Sequence, residues 1–191
     1  AKAASEAEAW SLIEAKKEEI LSIVGEYCYG IDDDSLASKL VEMLLDNGLT
    51  ISAAESLTAG LFQSELAEIP GVSSALAGGV VTYSEQAKIE QLGILPELIA
   101  QHGVVSSECA AAMAFNVREK FGTHIGVGLT GVAGPGPQDH EPAGTVWIGL
   151  SIGQEQPVTY RLQLSGSRNA NRLRAVKFTC SYLMRKLVEK G

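Results

Sequence analysis

The chain has 191 residues, of which 46% are hydrophobic and 20% charged, and it carries a formal net charge of −8. That length and apolar content suffice for one buried core plus an appendage, and the acidic balance disfavours nonspecific binding to nucleic acid or to an anionic membrane surface. No apolar run reaches the roughly 18 residues of a membrane span, the charged N-terminus does not read as a signal sequence, and three scattered cysteines without a C-x-x-C pair (Cys28, Cys109, Cys180) read as reduced thiols of a cytoplasmic protein.

Residues 5–25 read as an amphipathic helix. Ser5 and Glu8 have capping-box spacing, and Trp10, Ile13, Ile20 and Val24 share a stripe. Such a helix either packs on its own domain or marks a boundary with an upstream one. With no initiator Met at its start, residues 1–31 are expected to be a helix and linker from a longer chain. The compact domain is expected over 32–191. A second helix is predicted over 35–46, closed by Asn47-Gly48. An apolar, β-leaning run at Leu49–Ser52 then leads into Ala53-Ala54-Glu55-Ser56-Leu57-Thr58-Ala59-Gly60 and a helix to about Glu68. Pro70-Gly71 breaks the chain before an apolar strand from Leu76 to Tyr83. A helix follows at about Ser106–Phe121 and a buried strand at Ile125–Leu129. Two alternating runs come next, Val146–Ile152 and Val158–Leu164, and then a last helix over 168–189. Early alternation of helix and strand with a late hairpin predicts a three-layer α/β/α fold with a mixed sheet, preceded by the N-terminal amphipathic helix.

Four segments can carry chemistry, and each has a plainer alternative. Ser56 at a strand-to-helix turn either caps the helix or sits where free backbone N–H groups hold an oxyanion or a phosphate. Lys88, five residues after Tyr83, is either a solvated helix residue or a general base kept neutral by desolvation, with Tyr83 packing or relaying a proton. The Gly126–Gly136 segment, with Thr130 at its centre, is either a wide Gly/Pro turn or a phosphate cradle. Arg168 and Arg172, four apart on one helix face, are either solvated or an anion clamp. His102, His124 and His140 show no metal-ligand spacing, so no metal site is expected.

Together these pieces resemble the C-terminal domain of the competence/damage-inducible CinA proteins, the nicotinamide mononucleotide (NMN) deamidase family. The family's A-E-S-C-T-G-G stretch matches Ala54 to Gly60, and its Y-x-x-x-x-K element matches Tyr83 to Lys88. Its G-x-V-S-x-E-x-A motif appears as Gly103, Val105, Ser106 and a shifted acid, Glu108. T-G-x-A-G-P-G runs from Thr130 to Gly136, and G-x-R-x-x-x-R matches Gly166, Arg168 and Arg172. The likeness extends from about Asp34 to Leu187. Leu57 and Ala59 depart from the family's usual Cys and Gly. The loop Pro137-Gln138-Asp139-His140-Glu141 is shorter than the family form and places Glu141 where a lysine often sits.

The resemblance implies hydrolysis of the NMN carboxamide to nicotinic acid mononucleotide and ammonia without metal or redox cofactor. It implies Ser56 as nucleophile, Lys88 as base and Tyr83 as its relay. Glu55, Thr58, Gly60, Thr130, Gly131, Gly134 and Arg168 are then the expected substrate contacts. Self-association of the domain is expected, as is a recombination or competence partner acting through the full-length protein. The rival reading is a nucleotide-sensing or protein-binding module with weakened catalysis. The intact set of Ser56, Tyr83 and Lys88 favours the enzyme.

Overall fold

The computed structural model describes residues 1–138 and 141–189, apart from the Glu26 side chain. Two compact units divide the chain, Ala1–Ser35 and Leu36–Gly191. The first unit is built on α1 (Glu6–Val24). Ser5 Oγ accepts the Glu8 N–H at its start, as the capping spacing predicts. Trp10, Ile13, Ile20 and Val24 lie exposed, and no residue of α1 is buried.

The second unit carries α2 (Leu36–Asp46), β1 (Ile51–Glu55), α3 (Leu61–Ala67), β2 (Leu76–Val81), α4 (Glu85–Leu92), α5 (Pro96–His102), α6 (Ser107–Phe121), β3 (Ile125–Gly131), β4 (Thr145–Ile152), β5 (Val158–Gln163) and α7 (Arg168–Val188). The strands form one sheet in the order β2-β1-β3-β4-β5. β1 pairs in parallel with both β2 and β3, whereas β3-β4 and β4-β5 are antiparallel. This is the mixed sheet, closed by a hairpin, that the alternating pattern predicts.

Strand alternation divides the core in two. Ile51, Ala53, Ile125, Val127, Leu129, Val146, Ile148 and Leu150 pack with Leu40 and Leu44 of α2 and Val176 and Leu183 of α7. On the other side, Ala54 joins Leu92 of α4, Ile99 of α5 and Cys109, Met113 and Val117 of α6. Helix α6 approaches the sheet closely because the strands are bare beneath it. A Cβ added at Gly126 would lie 2.1 Å from the Ala114 carbonyl oxygen, and one at Gly128 would lie 2.3 Å from that of Ala110. Gly126 and Gly128 lie in the strand expected at Ile125–Leu129, and within the Gly126–Gly136 segment they serve helix-on-sheet packing rather than a turn or a cradle.

Helices α4 and α5 have no counterpart among the predicted elements, although each carries local signals. Ser84 Oγ caps α4 by accepting the Ala87 N–H, and Gly93 closes it in the left-handed conformation. Pro96 opens α5. Both helices are too short to show a persuasive apolar period. One consequence is functional, because Lys88 lies in the first turn of α4.

Candidate active site

Ser56 follows β1 directly, and its N–H donates to the Leu129 carbonyl of β3 at 2.8 Å. The serine turn is therefore registered to the centre of the sheet. Residues 56–60 form a hydrogen-bonded turn before α3. The Ala59 N–H donates to the Ser56 carbonyl, while Ala59 (φ 51°) and Gly60 (φ 91°) are left-handed. The N-cap is Gly60, so Ser56 does not cap α3, and the helix begins at Leu61 rather than beside the serine.

The donors at that helix start are already used. Glu55 is fully buried, and its carboxylate accepts the N–H groups of Gly60 (3.0 Å), Phe62 (3.1 Å) and Gln63 (3.0 Å) together with Gln63 Nε2 (3.0 Å). Two donors to each oxygen saturate the carboxylate. This assigns Glu55 and Gly60, expected as substrate contacts, to anchoring the turn. The N–H groups of Leu57 and Thr58 are different, with no acceptor among the described residues. They are the two unpaired backbone donors that directly follow the serine in the chain.

Lys88 is 1% exposed, and its Nζ lies 3.1 Å from Ser56 Oγ while donating to the Thr82 carbonyl at 2.9 Å. Thr82 in turn donates its N–H to the Glu55 carbonyl at 2.8 Å, which ties the end of β2 to the end of β1. Taking an ammonium out of water is costly, and a lysine acts as a base only in its neutral amine form. A buried amine against a serine hydroxyl, with two open amides alongside, can activate the hydroxyl as a nucleophile and receive an oxyanion. The buried hydroxyls of Thr58 and Thr82 have no hydrogen-bond partner among the described residues.

Tyr83 is 56% exposed, and its hydroxyl accepts a hydrogen bond from the Arg168 guanidinium. Arg168 also donates to the Gly134 carbonyl at 3.0 Å. Arg172, which spacing left open as either solvated or a partner of Arg168 in an anion clamp, turns elsewhere. Its Nε donates to the Leu57 carbonyl at 3.1 Å and its Nη2 to that of Thr58 at 2.8 Å, behind the serine turn. The two arginines thus serve different ends of the site.

Of the expected cradle, Thr130 spends its hydroxyl on the Val104 carbonyl at 2.6 Å. Gly131 lies in β3, where a Cβ would meet the Thr145 carbonyl oxygen at 2.5 Å. Gly134 is left-handed (φ 100°), and its N–H and that of Gly136 have no acceptor among the described residues. Asn171 holds this loop through Nδ2 to the Ala133 carbonyl at 3.1 Å. Glu141 pairs with Arg161 at 3.1 Å, while Asp139 and His140 lie outside the described residues. Sequence reasoning missed Gln63, Thr82 and Asn171, whose roles are contacts across the fold that local spacing does not encode. Among the described residues no group of His, Cys, Asp and Glu could hold a metal ion, and no helix is long and apolar enough to cross a membrane.

The family model described as the CinA C-terminal domain matches residues 33–187. The chain belongs to this family. It is 70% identical over its whole length to a competence-damage inducible protein of Lysinibacillus sphaericus, and covers 46% of that protein. A Listeria welshimeri protein of the same description is 48% identical over 177 residues, covering 93% of this chain and 43% of its own length. The chain thus spans less than half the length of these curated relatives. Among solved structures, a CinA superfamily protein from Klebsiella pneumoniae superposes with a TM-score of 0.78 at 32% identity, covering 81% of this chain and 96% of its own. One from Enterobacter cloacae gives 0.76 at 30% identity, with 84% and 96% covered. The α/β fold of this CinA domain is that of these neighbours.

Proposed function

We propose that this CinA domain is a serine amidohydrolase that converts the carboxamide of NMN to the carboxylate of nicotinic acid mononucleotide, releasing ammonia, in pyridine nucleotide recycling. The observation that carries the reading is the fully buried Lys88 amine set 3.1 Å from the Ser56 hydroxyl. The bond from Lys88 to the Thr82 carbonyl fixes one N–H of the amine and so orients the nitrogen.

In the first step Ser56 Oγ bonds to the carboxamide carbon as its proton passes to Lys88 Nζ. The carbonyl oxygen becomes an oxyanion that accepts from the Leu57 and Thr58 N–H groups. A donor of this kind contributes about 3 kcal/mol in well-studied hydrolases. Collapse breaks the C–N bond, and the Lys88 ammonium returns its proton to the departing nitrogen as ammonia leaves. Water then attacks the Ser56 ester with Lys88 again taking the proton, which frees the acid and restores the serine. Arg168 and the open N–H groups of Gly134 and Gly136 supply a local anion cradle for the 5′-phosphate. The acidic protein tolerates this ligand because its pyridinium is cationic. Tyr83, hydrogen-bonded to Arg168, belongs in this reading to the phosphate side of the site.

Acid quenching during turnover tests the proposal. Intact-mass and peptide analysis should find the nicotinate-mononucleotide acyl group on Ser56. Turnover with no adduct on any variant that slows the second step would remove the covalent route.

A further inference from the structure

Arg172 is the guanidinium that the Ser/Lys chemistry leaves unused, and its placement is specific. Nε and Nη2 bridge the carbonyls of Leu57 and Thr58, the two residues whose N–H groups stand open beside Ser56. In a planar trans peptide the C=O and N–H point in opposite directions. Holding the Leu57 carbonyl toward α7 therefore fixes the Thr58 N–H away from α7. The next peptide is pinned at both ends, with its carbonyl on Arg172 and its Ala59 N–H on the Ser56 carbonyl at 3.1 Å. A cationic donor on an amide oxygen also draws density from the amide nitrogen, which strengthens that N–H as a donor. The anchor is itself built in. Arg172 sits one turn along α7 from Arg168, is half-buried, and has a third contact from Nη1 to Asn169 Oδ1 at 3.3 Å.

We propose that Arg172 is a positioning residue for the oxyanion donors, bridging the Leu57 and Thr58 carbonyls so that the Thr58 N–H is aimed and polarised toward charge developing at Ser56. It touches neither substrate nor nucleophile. The inference rests on Ser56 being the nucleophile, and its test therefore uses a probe that needs no knowledge of the substrate.

The experiment measures the rate at which a fluorophosphonate labels Ser56 in the full chain, in Arg172→Ala and in Arg172→Lys. Labelling should slow by about 10- to 100-fold in Arg172→Ala, a part of what losing a whole oxyanion donor costs. Arg172→Lys should recover only part, because a single ammonium lacks the planar fork whose Nε and Nη2 reach the two carbonyls together. Added guanidinium at millimolar concentration should restore labelling of the alanine variant, a rescue that a purely structural defect would not show. NMN affinity, measured on the Ser56→Ala background, should stay within about threefold, since only interactions stronger in the transition state act on rate alone. If Arg172→Ala does not fold, the lysine variant decides. Parental labelling rates in the variants would overturn the proposal, as would a loss of NMN affinity in proportion to the loss of rate. A parent chain that takes no label at Ser56 fails the nucleophile reading itself, and the role of Arg172 falls with it.

Discussion

Lys88 and Ser56 are 32 positions apart in the chain and 3.1 Å apart in space. The parallel pairing of β1 with β2 brings this about, because it sets Glu55 beside Val81 and delivers the two following turns to one end of the sheet. Ser84 then caps α4, so that Lys88 arrives one turn into the helix on its inward side, in line with buried Leu92. In open α/β sheets the C-terminal ends of parallel strands are where ligands bind. Here that end holds a serine, an amine and two open amides.

Glu55→Gln tests whether the carboxylate anchors the serine turn. The amide would point a donor group at backbone N–H groups that now share two oxygens. A loss of about 2–3 kcal/mol of stability is expected, read from urea unfolding, with a parallel fall in activity as the turn loosens. Unchanged unfolding with a raised KM would instead make Glu55 a substrate contact.

Ala59→Gly should stabilise the protein. Ala59 holds φ at 51°, where a Cβ costs about 1–2 kcal/mol. The extra freedom of glycine in the unfolded chain gives back about 0.5–1 kcal/mol. The expected gain is up to about 1 kcal/mol, or roughly 2–4 °C in Tm by calorimetry. A fall in Tm would mean that the turn is not left-handed at this position.

The buried thiols make stability sensitive to alkali. Burial pushes Cys109 up to about 11, against a smaller opposing effect of Lys88, and pushes Cys180 up to about 12, helped by the Glu65 charge. In the unfolded chain both would ionise near 9.0. The folded values are raised, so this stabilisation is complete below pH 9. It is lost as the pH climbs from 9 through 11 and 12, at about 1.4 kcal/mol per pH unit for each thiol. Urea unfolding at pH 8, 9 and 10 should show the decline, and Cys180→Ala should make it shallower. An identical slope in parent and variant would contradict the assignment.

Strand alternation, caps and glycine punctuation are local, which is why the mixed sheet, the late hairpin and the long α6 and α7 were legible from residue spacing. The Ser56 and Lys88 pair was legible for a different reason, since it stands in motifs whose order matches a family. What spacing could not carry was competition between distant groups. Glu55, a substrate contact by the resemblance, has its carboxylate held by the α3 amides, and Arg172, open as solvated or as a partner of Arg168, is held by the Leu57 and Thr58 carbonyls. Gly128 stands in an expected strand and also in a Gly-rich segment that suits a ligand, and only the Ala110 carbonyl above it shows which use it has. In each case a polar or bare position that suits a ligand had already been used by the fold.

The most direct test is ammonia release from NMN by the parent chain, Ser56→Ala and Lys88→Met. Lys88→Met keeps the apolar stem and removes the amine that faces Ser56. Steady release by the parent is predicted, with loss to background in Ser56→Ala and a fall of at least about 100-fold in Lys88→Met, the contribution of a positioned general base. Parental turnover surviving in either variant, or a parent that binds NMN without releasing ammonia, would contradict the account.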